Sequence, residues 1–120
     1  MQPTYLPWAG YFNLASQVDV FVFLDDVQFS RRSWQNRNRI LMQGKPCMLT
    51  VPVRKHERDT KILDIEIDSH QPWWEDHRKS LSRCYSKAPY GAELLDFLQS
   101  FYGRPVESSL AAFNEKIFKF

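Results

Sequence analysis

The 120-residue sequence is poor in the features that would settle its class at once. It has four glycines, and none sits in a phosphate-binding glycine loop. Two cysteines, Cys47 and Cys84, show no CxxC spacing, so neither a zinc site nor a disulfide framework is expected, only two reduced thiols. The formal net charge is +2, too weak to argue for nucleic acid or a membrane surface. No apolar run approaches the ~20 residues that span a bilayer. The start "MQPTYLPW" lacks the basic and apolar stretches of a signal peptide. No Ser-His-Asp order and no HExxH occurs either, so a serine or cysteine nucleophile is not expected, with Cys84 alone left open. What remains is one cytoplasmic domain, without membrane insertion, whose chemistry lies in less familiar patterns.

Aromatic residues are what the chain has in excess: nine Phe, five Tyr and four Trp, or 15%. They open the sequence. "MQPTYLPWAGYF" holds Pro3, Tyr5, Pro7, Trp8, Gly10, Tyr11 and Phe12, a density that belongs inside a fold or around a ligand rather than at a fraying end. "AGYFNLASQ" (9–17) then reads as a short helix. "VDVFVFLDD" follows, where Val20 to Leu24 are apolar without alternation, as in a strand buried on both faces. "RILM" and "CMLTVPV" read as two strands joined by a tight Gly-Lys-Pro turn. "RKHERDTK" (54–61) reads as a charged loop, and "ILDIEID" (62–68) as a half-exposed strand of imperfect period two.

The second half switches to helical spacing. After Pro72, the residues Trp73, Trp74, His77, Leu81, Cys84 and Tyr85 recur at helix intervals. His77 on that stripe is expected to be a hydrogen-bonded core or rim histidine, whereas His56 and His70 read as surface residues. "AELLDFLQSFYG" (92–103) is a second helix ending at Gly103. Pro105 opens a third with Val106, Leu110, Phe113 and Ile117 on one face. The expected fold is a mixed α/β domain over residues 1–120, with a largely buried central sheet flanked by helices. Phe118 and Phe120 look exposed on an uncapped helix, and such residues invite association, leaving a homo-oligomer open.

The stretch "QPTYLPWAGYFNLASQVDVFVFLDDVQFSRRSWQNRNRI", with "LTVPV" and "YSKAPY" after it, resembles the WbqC-like protein family. That family's pattern runs from an apolar strand and His-Gln-Pro through an aromatic-Leu-Pro-Trp-Gly-Tyr-Phe run. A strand ending Leu-Asp-Asp-x-Gln-Phe and a Trp-x-Asn-Arg-Asn segment follow. Met1 stands here where the histidine does, and the family continues beyond residue 120, so a domain truncated at both ends is expected. The resemblance implies a role in bacterial O-antigen or other surface-polysaccharide biosynthesis. It implies an enzyme that attaches an acyl or aminoacyl group, such as glycine, to a sugar.

The residues offer three candidate groups. Asp25 and Asp26, at the expected carboxyl end of a buried strand, could act as general base or bind a divalent cation such as Mg²⁺, or one could simply cap the following turn. In "RRSWQNRNR", Arg31, Arg32, Arg37 and Arg39 alternate with Trp34, Asn36 and Asn38. The guanidinium fork suits phosphate and an indole face suits a sugar or base, so these residues and nearby Gln28 are candidates for a nucleotide-linked sugar. A solvated basic loop explains the arginines equally well. In the opening loop Gln2, Tyr5 and Trp8 are candidate ligand contacts. Two other functions stay open: a non-catalytic carbohydrate- or partner-binding subunit, and a nucleotidylyltransferase-like enzyme built on a strand–loop–helix unit.

Overall fold

The computed structural model describes residues 1–103 and 107–119. The fold is mixed α/β, with strands in the first half and helices mostly in the second. The order is α1 (Ala9–Ser16), β1 (Arg37–Met42), β2 (Lys45–Thr50), α2 (Trp73–Tyr85), α3 (Gly91–Phe101) and α4 (Leu110–Glu115). Short 3-10 turns cover Ile62–Asp64 and Lys116–Lys119.

Among the described residues the sheet is the antiparallel hairpin β1–β2, in register from Arg37 opposite Thr50 to Met42 opposite Lys45. Its turn lies one step before the expected Gly-Lys-Pro. Gln43 and Gly44 form the two-residue loop with φ of +51° and +77°. Two successive positive φ values give the primed turn whose twist matches paired strands. Pro46 is already in β2, tolerated because both strands of a two-stranded sheet are edges. Ile40 and Leu49 point into the core, while Leu41 and Met48 face out.

The core forms where that inner face meets the helices. The adjacent Trp73 and Trp74 of α2, with His77 and Leu81 three to four residues further on at each step, are buried together. Leu98 and Phe101 of α3 and Leu110 and Phe113 of α4 close over Val51, Ile62, Ile65 and Ile67. Ser109 caps α4, its hydroxyl accepting from the Ala112 N–H at 3.2 Å. Pro105 and Val106 of the expected third helix lie outside the described residues, as does Phe120.

Three local expectations are corrected. Residues 20–24 are extended but join no strand, and they are not buried on both faces: Val20 is 77% and Val22 67% exposed. Only Phe21 and Phe23 are covered. Met1 lies alongside, donating to the Val22 carbonyl and accepting from the Leu24 N–H, each at 2.8 Å, as in parallel pairing. The 62–68 segment begins as a 3-10 turn, and only its second half pairs, through bridges Val53–Ile67 and Glu66–Ser109. Phe118 is not left in water. Its ring packs against Phe12, Phe21 and Phe23 at 5.0–5.7 Å and against Tyr11 at 5.6 Å, a second aromatic cluster beside the main core.

Candidate functional site

The loop between residues 30 and 36 is the centre of the candidate site, and buried amides hold it. Tyr5 N–H donates to the Trp34 carbonyl at 2.9 Å. Gln35, itself buried, donates through Nε2 to Gln2 Oε1 at 2.7 Å and accepts from Ser30 N–H at 3.0 Å. Asn114 of α4 donates to the Gln35 carbonyl at 2.7 Å. Asn36 exchanges two bonds with Val51 just past β2, so the hairpin base closes directly beneath the loop. Arg32 takes a left-handed φ of +53°, a conformation that non-glycine residues seldom adopt and that occurs in turns and at binding sites.

On one side this loop borders a cleft of about 540 Å³ lined by Gln2, Thr4, Pro7, Trp8, Tyr11, Trp34 and Asn38. Its indoles are open to solvent: Trp8 is 65% and Trp34 49% exposed. Arg39 stacks on Trp34, with Cζ 5.4 Å from the ring centre. The Trp8 ring lies over Gly10, where a Cβ would fall 1.7 Å from it. The Thr4 hydroxyl, buried, has no hydrogen-bond partner among the described residues. Tyr11 donates to the Gln2 carbonyl at 2.7 Å; burial first, then the Glu115 charge, push its pKa up to about 12, keeping it a donor at neutral pH. Asn38 lines the cleft, but its amide is engaged by the opening loop, donating to the carbonyls of Tyr5 and Leu6 at 3.2 and 2.7 Å. Leu6 there has φ +49°.

A second groove, of about 700 Å³, takes Arg31, Arg32 and Asn36 from the same loop and Val53, Arg54, Lys55, His56 and Glu57 from the chain after β2. Phe29 is buried in its floor, with the His56 ring edge-on at 5.2 Å. The structure thus divides the arginine segment: Arg31 and Arg32 face this groove, Arg39 joins Trp34, and Arg37 sits half-buried at the start of β1. Arg54, Lys55 and His56 were legible only as a charged loop.

Asp25 and Asp26 stand apart from both. Asp25 is half-buried and its backbone carbonyl accepts from Leu63 N–H at 2.9 Å; Asp26 is exposed at a bend. Neither lines the tryptophan cleft or the basic groove, and neither forms an ion pair among the described residues. No group of three or more His, Cys, Asp or Glu is placed to hold a metal among those residues. Gln28 is turned to the Arg58 carbonyl at 2.7 Å.

Tyr5 is the clearest correction: it is 0% exposed and belongs to the core, not to a ligand site. Its hydroxyl meets His77 Nδ1 at 2.6 Å and the Tyr102 hydroxyl. His77 also bonds the Thr50 backbone. If its one neutral N–H serves the Thr50 carbonyl, Nδ1 accepts from Tyr5, and Tyr5 accepts from Tyr102, so every proton has one place. Burial dominates the electrostatics. It lowers the His77 pKa to about 4 and raises both tyrosines well above their ordinary range, so all three are neutral at pH 7.

Fold and clefts together define a small mixed α/β domain that offers an exposed aromatic–amide surface beside a cationic groove. The chain belongs to the WbqC-like protein family, whose model matches residues 2–120. It is 36% identical over 118 residues to the uncharacterized protein Rv1507c of Mycobacterium tuberculosis, an alignment covering 98% of this chain and 51% of that protein. The chain therefore spans about half the length of this curated relative. No solved structure shows a significant match. No helix among the described residues is long and apolar enough to cross a membrane.

Proposed function

We propose that this chain supplies the sugar-binding part of an enzyme of bacterial surface-polysaccharide (O-antigen) biosynthesis, one that transfers an acyl or aminoacyl group, such as glycine, to a sugar. The observation that carries the reading is the pair of solvent-open indoles, Trp8 and Trp34, across a cleft that also holds Gln2 and the unpartnered Thr4 hydroxyl. Apolar sugar faces stack on indoles, and ring hydroxyls or amides bond the polar groups between them. Asp25 or Asp26 is the proposed base, taking a proton from the attacking sugar group while the acyl donor's leaving group departs.

Titrating the protein with an amino-sugar nucleotide should quench the exposed indoles. Trp8→Ala or Trp34→Ala should weaken binding by at least tenfold with stability changed by less than about 0.5 kcal/mol, as for open surface positions. An affinity indifferent to both substitutions rejects the cleft. In the longer relative, Asp25→Asn and Asp26→Asn at the matching positions should stop transfer, read as the mass gain of the sugar, and leave binding intact. Unchanged transfer in both variants rejects the two aspartates as the base, whereas sugar binding without any transfer by the unsubstituted protein favours the second reading, a non-catalytic carbohydrate-binding subunit. The position of both carboxylates outside the tryptophan cleft speaks for that alternative.

A further inference from the structure

We propose that the groove lined by Arg31, Arg32, Arg54 and Lys55 is a binding site for a diphosphate ester. This assignment is independent of any acyl transfer. Four permanent cations and one carboxylate, Glu57, converge on a chain whose net charge is only +2. Glu57 and the Glu66 carboxylate beside Arg54 offset part of this charge, and the remaining positive excess favours an anion. The gathering is not an accident of one basic run. Arg31 and Arg32 precede β1, Arg54 and Lys55 follow β2, and the Asn36–Val51 hydrogen bonds at 2.7 and 3.1 Å help bring the two pairs to one groove.

The walls are also built rather than loose. Arg32 is held at φ +53°. Arg54 N–H donates to the Glu66 carbonyl at 2.9 Å, and its guanidinium lies 3.5 Å from the Glu66 carboxylate, an exposed contact that orients more than it stabilises. Asn36, nine-tenths buried in the floor, has an Oδ1 without a partner among the described residues. Two cationic pairs lining one groove of about 700 Å³ suit two adjacent phosphates, each met by a guanidinium fork. A nucleoside diphosphate and a lipid diphosphate share that chemistry.

Calorimetric titration of the intact chain with inorganic pyrophosphate, uridine diphosphate and geranyl diphosphate tests the site. Pyrophosphate should bind, more weakly as salt rises. Arg54→Ala should weaken it roughly tenfold or more. Arg32→Gly should do the same, and glycine keeps the left-handed backbone, so that loss cannot be blamed on the loop. Lys79→Ala, an exposed charge on α2 away from the groove, should change nothing. Uridine diphosphate above pyrophosphate marks a nucleotide source, and geranyl diphosphate above it a lipid source. Pyrophosphate binding no tighter than sulfate, or equal affinity in both arginine variants, overturns the proposal. So does single-stranded oligonucleotide binding tighter than any diphosphate. Trp8→Ala separates this site from the sugar cleft: pyrophosphate affinity should survive it whatever happens to sugar binding.

Discussion

Acidification should destabilise this protein through one histidine. His77 is buried against Trp73, whose ring centre lies 5.1 Å away, and is bonded to Tyr5 at 2.6 Å, so protonation puts a charge into a largely desolvated place. Its pKa falls from 6.5 to about 4 on folding. Between those values the unfolded chain binds a proton that the folded chain refuses, so stability rises with pH across the window and is lost as pH falls through it. At 1.36 kcal/mol for each tenfold change, the full effect is about 3 kcal/mol, with about 2 kcal/mol already gone at pH 5. That is a large share of the 5–15 kcal/mol typical of a domain. Urea unfolding at closely spaced pH values from 7.5 to 4.5 would measure it. The slope should be steepest between pH 6 and 5, above the range where ordinary carboxylates titrate. His77→Gln should flatten that slope while lowering stability at pH 7, since Tyr5 loses its acceptor geometry. A wild-type curve flat from pH 7 to 5, or a variant with the same slope, refutes the buried neutral imidazole.

Three further outcomes follow from particular contacts. Gly10→Ala should leave stability equal or higher, because alanine favours the helix by up to about 1 kcal/mol. The new methyl must nevertheless push the Trp8 indole off its seat, so indole emission and sugar affinity should change; unchanged emission would be inconsistent with the ring's position. Asn114→Ala should cost about 1 kcal/mol in urea unfolding, the low end for a lost buried bond, because the Asn114 Oδ1 is already without a partner. Loosening of the 30–36 loop should accompany it, read as faster amide exchange at Gln35 and Asn36. Phe118→Ala should cost about 2 kcal/mol, less than a fully buried ring, by opening the cluster with Phe12, Phe21 and Phe23. A loss under about 0.5 kcal/mol would mean that the ring packs little in solution.

Much of the architecture was readable from local pattern. The 3.6-residue spacing after Pro72 and in 92–103 depends only on which side of a helix each residue occupies, and the helices observed at 73–85 and 91–101 lie within two residues of it. The hairpin was equally plain, its turn displaced by one residue because Gln43 as well as Gly44 adopts positive φ. His77 kept the role its place on the α2 stripe implied. The aromatic cleft was half legible, since Trp8 and Trp34 are prominent in sequence, but nothing local says that they share a wall.

Where reading along the chain failed, the missing information was always a distant partner. Val20 and Val22 have the composition of a doubly covered strand, yet only the Phe21–Phe23 side meets a neighbour, and that neighbour includes Phe118. Tyr5 looked available to a ligand until His77 and Tyr102, 72 and 97 positions further on, enclosed its hydroxyl. Arg54 and Lys55 became half of a cationic groove because β1 and β2 pair and return the chain to Arg31 and Arg32. The sequence by itself determined the helices, the hairpin and the abundance of aromatic and basic side chains, since these follow from backbone preference and periodic burial among near neighbours. Tertiary structure alone decided which of those side chains are covered and which converge, because burial and charge clustering depend on through-space contacts that chain order does not specify.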